Sequence, residues 1–152
     1  MQLPKKLPIV RIENYHTHYL GESAEGRQFW AYETFAFGAD WSAAPLGSDW
    51  RTFRKEYVVL HTFSQNGHYL TTRYWYAGVT AEASQPAMEQ KLLEFVADLG
   101  PVVLKDIKVS LFQTQLDGIT FGLVVDEKHE LINLEPSATI SFQEPWDGEY
   151  YT

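Results

Sequence analysis

Tyr57-Val58-Val59-Leu60-His61-Thr62-Phe63-Ser64-Gln65-Asn66-Gly67-His68-Tyr69-Leu70-Thr71-Thr72-Arg73-Tyr74-Trp75-Tyr76 decides the fold class of this chain. Two runs rich in aromatic and β-branched residues flank Asn66-Gly67, the dipeptide that most strongly favours a tight hairpin. A two-residue turn there pairs Gln65 with His68, Phe63 with Leu70, His61 with Thr72, Val59 with Tyr74 and Tyr57 with Tyr76. Those residues share one face, while Val58, Leu60 and Thr62 share the other with Thr71, Arg73 and Trp75. Neither face is cleanly polar. A strand half-buried on one side alternates more sharply, so the hairpin is expected near the centre of its sheet, covered on both sides.

Working outward, residues 8–20 read as a strand of mixed pattern, and Gly21 to Gly26 as a polar turn. Gln28 to Phe37 reads as a strand pairing with the first. On it Trp30, Tyr32 and Thr34 face one way and Phe29, Ala31, Phe35 and Phe37 the other, with Glu33 an exception on the apolar side. Gly38 to Asp49 is a loop carrying Trp41, with Trp50 just beyond. Ser84-Gln85-Pro86 opens the main helix, with Ser84 as N-cap and Pro86 in the first turn. Met88, Leu92, Phe95, Val96 and Leu99 form its apolar stripe, and Gly100-Pro101 ends it. Asp106 to Gln115 and Ile119 to Asp126 form a further hairpin around Asp117-Gly118, whose apolar face is expected under the helix. Residues 131–142 add a last strand, and Pro145 to Thr152 is an acidic, aromatic tail. The fold class that follows is α+β: a mainly antiparallel sheet of about six to seven strands built from hairpins, with one main helix (about 84–99) packed on one face. Residues 1–152 read as a single domain, since this length suits one core.

Composition narrows the function classes. There is no cysteine, which excludes disulfides, thiolate metal sites and cysteine nucleophiles and fits a reducing compartment. The N-terminal segment lacks the apolar run of a signal peptide, and no stretch is long and apolar enough for a membrane helix. A cytoplasmic protein with no membrane contact is expected. Residues 1–76 carry eight Lys/Arg and seven Asp/Glu, a charge of +1, whereas residues 77–152 carry four and thirteen, a charge of −9. That second half repels a phosphate backbone, so direct nucleic-acid binding is not expected, and it suits a basic protein partner.

No nucleophile elbow, zinc-protease motif or phosphate-binding loop occurs, so no catalytic residue is assigned and no cofactor is implied. His16 and His18 lie two apart on the expected first strand, a spacing that would aim both imidazoles at one metal; His61, Glu13 and Glu33 are the available third ligands. Among the many aromatic residues, those in loop or tail suit a binding surface, because Trp and Tyr bury large area and keep a polar handle. Trp41, Trp50, Trp146 and Tyr150, with Asp147 beside the tail aromatics, are the candidate binding residues. His61 and Arg73 are the polar members of the central hairpin that merit testing. An exposed sheet edge could equally pair into a homodimer.

Several segments together resemble a bacterial family labelled formate hydrogenlyase regulatory protein. They are Leu7-Pro8-Ile9, Tyr15-His16-Thr17-His18 with Gly21, Gln28-Phe29-Trp30, Trp75-Tyr76-Ala77-Gly78, Asp117-Gly118-Ile119-Thr120-Phe121-Gly122-Leu123-Val124 and Pro145-Trp146-Asp147-Gly148-Glu149-Tyr150. The resemblance covers most of the chain and implies a bacterial cytoplasmic protein with a regulatory role. Its motifs are structural in type and carry no catalytic residue. Two readings follow for function: a non-enzymatic protein-binding or regulatory domain, with an immunity protein of a toxin system as one form of it, or a small-molecule or metal site using His16 and His18. The immunity comparison rests on fold-level analogy.

Overall fold

The computed structural model describes residues 1–12 and 15–152. Among them the elements are β1 (Leu7–Ile9), β2 (Tyr19–Ser23), β3 (Gln28–Phe37), α1 (Ala39–Ser42), β4 (Arg54–Phe63), β5 (Tyr69–Val79), α2 (Gln85–Ala97), β6 (Val102–Leu104), β7 (Ile107–Val109), β8 (Gln113–Leu116), β9 (Ile119–Asp126), β10 (Leu131–Glu135) and β11 (Ser141–Phe142). The fold is α+β, antiparallel throughout its ladders, with one main helix. A central sheet of five strands runs β5-β4-β3-β2-β6, a second sheet of four runs β11-β10-β9-β8, and β1 pairs with β7. Eleven strands replace the expected six or seven because β1, β6, β7 and β11 are two or three residues long. Runs that short carry no periodic pattern to read.

The alternation along β3 and β4 builds two cores. Trp30 and Tyr32 of β3 and Tyr57, Val59 and Phe63 of β4 point to one face, where they meet Phe121, Leu123, Ile132, Leu134 and Phe142 of the second sheet. Phe29, Ala31, Val58 and Leu60 point to the other face, where Met88, Leu92, Phe95 and Val96 of α2 cover them. The helix starts as its sequence dictates: Ser84 Oγ accepts from the Ala87 N–H at 3.3 Å, and Gly100 adopts φ +80° just past the last turn. The apolar face of the β8–β9 hairpin was expected under the helix, but Leu116 and Phe121 pack on the opposite side of the central sheet. The physical reason is that each face of the sheet takes one cover. The helix covers Phe29, Ala31, Val58 and Leu60, so the face of Trp30, Tyr32, Tyr57 and Phe63 is the one left for the apolar side of the hairpin to bury.

The central hairpin departs from expectation twice. Its turn is three residues long, with Ser64 N–H donating to His68 O at 2.8 Å and Gly67 N–H to Ser64 O at 2.9 Å. Gly67 takes φ +85°, the bulged form of a hairpin turn, and a Cβ there would meet the Lys108 carbonyl oxygen at 2.5 Å. Phe63 therefore opposes Tyr69 rather than Leu70, although His61↔Thr72, Val59↔Tyr74 and Tyr57↔Tyr76 hold as expected. Second, only β4 is central: β5 is the edge of the sheet. Residues 8–20 likewise do not form one strand. They divide between β1, a turn at 15–18 and β2.

Candidate functional site

Of the residues singled out in the sequence, Trp146 and Tyr150 are partly buried and hold the tail against the molecule. Trp146 Nε1 donates to the Gln2 carbonyl at 2.8 Å, and Tyr150 OH lies 2.8 Å from Thr17 Oγ1 with its ring against Phe142. Asp147 Oδ1 accepts from the Glu149 N–H at 3.1 Å, a local turn contact. These residues form a structural clasp around Gly148, where a Cβ would strike Val10. Trp41 is half-buried between Phe37 and Phe53, with ring centroids at 5.4 and 5.3 Å. Trp50 is 44% exposed and lies 5.1 Å from the Arg54 guanidinium. The structure therefore separates the loop tryptophans from the tail aromatics.

His16 and His18 sit in the turn before β2, not on a strand, so the strand argument for a shared metal face does not apply. His18 Nδ1 is 2.9 Å from Arg11 Nη2. Glu13 lies outside the described residues. Among the described residues, no three His, Cys, Asp or Glu side chains are grouped to hold a metal ion. His61 is a core residue: Tyr32 OH lies 2.9 Å from Nε2 and Thr72 Oγ1 2.7 Å from Nδ1, and full burial pushes its pKa down to about 3. Arg73 pairs with Asp98 at 2.6 Å and lies over the Phe95 ring.

The surface that these placements leave is the outer edge of β5. This strand of eleven residues has no proline and one charge, Arg73. Among the described residues nothing pairs with its free side. Bulges at Leu70 and Ala77 bracket a regular segment, Thr71–Tyr76, six residues long, which is the commonest strand length. Leu70, Tyr74 and Tyr76 are 43%, 40% and 43% exposed. The tyrosines lean on Tyr57, whose ring lies 5.3 Å from Tyr76 and 6.4 Å from Tyr74. The β8–β9 turn supplies an anion to the same place. Asp117 takes φ 54° ahead of Gly118, and its carboxylate accepts from Tyr57 OH at 3.0 Å and Tyr74 OH at 3.2 Å.

The electrostatics of that edge are negative. The Asp117 charge holds the Tyr74 hydroxyl above its ordinary pKa. Tyr76 is raised by partial burial and then by Glu82, Asp117 and Asp40. Sequence reading missed this surface because it placed β5 in the interior. The signal available was the mixed pattern of the strand: large residues on both faces mark an edge as well as a centre. Among the described residues no helix is long and apolar enough to cross a membrane. No family model matches the chain, and neither the curated proteins nor the solved structures contain a match to it.

Proposed function

We propose that this chain is a non-enzymatic protein-binding domain that receives a strand of a basic protein partner along β5. The observation that carries this reading is the unpaired edge at Thr71–Tyr76, flanked by Tyr74, Tyr76 and Asp117. An added strand would satisfy the free backbone groups of the edge, and the two tyrosines would contact alternate side chains of the incoming strand. Lys or Arg side chains on that strand would meet Asp117, Glu82 and Asp40, and the tyrosine faces attract cations. The formal charge of −8 steers a basic protein toward the molecule and opposes pairing with a second copy. A regulatory role in the bacterial cytoplasm, as the resemblance to the family labelled formate hydrogenlyase regulatory protein implies, would be exerted by occupying the partner's strand. An immunity protein would act in the same way.

Site-specific photocrosslinking tests the reading in the native host, with the photoreactive group at Tyr76. The expected result is one adduct to a second protein, mapped by mass spectrometry to a strand bearing Lys or Arg. Tyr74→Lys with Leu70→Lys should lower its yield at least tenfold, and Glu127→Lys, an equal charge change on a distant turn, should leave it intact. An adduct between two copies of this chain would replace the reading with a homodimer. Equal yields from all variants would refute it.

A further inference from the structure

We propose that the cavity beside Glu33 is a binding site for a small organic cation carrying a protonated alkylamine or alkylguanidine group. Two adjoining hollows of about 230 and 290 Å³ share Tyr15, Glu33 and Gln85 as walls. They open between the turn at 15–18, the ends of β3 and β4, and the first turns of α2. This site lies on the helix side of the central sheet, whereas the strand-addition edge involves Tyr74 and Asp117 on the other side.

Glu33 breaks the apolar pattern of the helix face. It stands opposite Val58 in the ladder, where Phe29 and Ala31 continue the stripe. A branched aliphatic residue would fill that position at lower cost, because an ionised carboxylate loses solvation on burial. Glu33 is nevertheless only 7% exposed. Gln85 Nε2 donates to Oε1 at 2.8 Å; among the described residues no donor reaches Oε2, which keeps contact with solvent, and no cation comes within ion-pair distance of either oxygen. Burial raises the carboxyl pKa, and the nearby Glu89 and Glu56 charges raise it further.

The arginine that lines the hollow is already committed. Arg54 donates through Nε and Nη2 to Glu56 Oε1 at 3.1 and 2.7 Å, also reaches Thr80 Oγ1 at 3.0 Å, and stacks over Phe35 at 4.2 Å. Arg54 is thus paired with Glu56, and among the described residues Glu33 has one amide partner. A cation entering the cavity donates to Oε2 in place of water and brings a positive charge to a carboxylate that has no ion-pair partner among the described residues. Met88 and Leu92 on α2 offer apolar contact for an alkyl stem, and the aromatic side chain of Tyr15 lines both hollows. The carboxylate, the apolar wall and the ring together select an alkyl cation over a hydrated metal ion, which would need several more oxygen ligands.

Calorimetric titration with butylammonium and butylguanidinium chloride at neutral pH tests the assignment. The expected result is saturable binding at one site per chain. Glu33→Gln, which keeps the shape and removes the charge, should weaken it at least tenfold, while Glu144→Gln should leave it unchanged. Tyr15→Ala is a second variant, outside the ladder, that should weaken binding severalfold. Cadaverine compared with the capped peptide Ac-Gly-Lys-Gly-NH2 separates the two sources of such a cation: tighter binding of cadaverine means a free amine, and tighter binding of the peptide means a side chain of a protein. Absence of saturable binding by all four probes, or equal affinity in Glu33→Gln, overturns the proposal. Tyr74→Lys should not alter these affinities, so failure here leaves the strand-addition reading standing, and its failure leaves this one.

Discussion

His61 and Glu33 are both titratable side chains buried on the central sheet, one on each face, and the two faces treat them differently. On the side of the second sheet, His61 is enclosed and both ring nitrogens have partners, Tyr32 and Thr72. Thr72 passes the chain on to Tyr69 OH at 2.7 Å. On the helix side, Glu33 has one amide partner and borders a cavity. A polar group with every partner present rigidifies a core and specifies its packing; one whose second oxygen opens onto a cavity is available to a ligand there. The difference teaches that burial alone does not mark a functional residue. What marks it is burial with an unmet demand for charge.

Measurements can break or sharpen that contrast. The largest effect is expected in the sealed layer, where Phe121 is fully buried against Tyr57 at a centroid distance of 5.4 Å. Phe121→Ala should lower the unfolding free energy in urea by about 3–5 kcal/mol, the cost of removing a core aromatic without refilling its space. A loss below about 1 kcal/mol would mean that the layer between the sheets is not sealed.

Next comes pH. The unfolded chain protonates His61 near its ordinary value of 6.5, and the folded chain not until about 3. Below pH 6.5 the unfolded state therefore binds more protons, and stability falls as pH falls. The slope approaches about 1.4 kcal/mol per pH unit. Wild type should lose about 2 kcal/mol more than His61→Gln between pH 7 and pH 5, by urea unfolding at both values. Equal losses would show that His61 is reached by solvent.

Glu33→Gln should act with the opposite sign. Its folded pKa is raised, so its contribution is full below the ordinary carboxylate range and is lost as pH rises through the folded value. The variant should be more stable than wild type at pH 7 by about 1 kcal/mol, discounted because the carboxyl borders solvent. A destabilised Glu33→Gln would make the carboxylate structural and erase the contrast. Ser84→Ala, which removes the N-cap of α2, should cost a similar ~1 kcal/mol on thermal melting. The smallest effect is expected for Tyr74→Lys on the open edge, within about 0.5 kcal/mol of wild type. A larger loss would mean that Tyr74 serves the core rather than the surface.

Much of the fold was legible. The β3 run from Gln28 to Phe37 is apolar almost without a break because each face meets a different core. The helix carries its own start and stop in Ser84 and Gly100. The Asp117-Gly118 turn was legible because both residues must adopt positive φ, 54° and 76°. The candidate sites were less legible. Glu33 stood out as an exception on an apolar face, but its lack of a cation depends on where Arg54 points. The tail aromatics looked like a surface and became a clasp because Trp146 and Tyr150 find partners at Gln2 and Thr17, far away along the chain.

The longer strands, the main helix, the antiparallel class and the two-faced pattern of β3 and β4 were written in the sequence, since periodicity and turn chemistry act over a few residues. Only the tertiary structure decided that β5 is an edge, that the second sheet and the helix lie on opposite faces, and that Glu33 has no cation beside it among the described residues. Those outcomes depend on which surfaces meet, and contacts between residues distant in the chain leave no periodic trace along it.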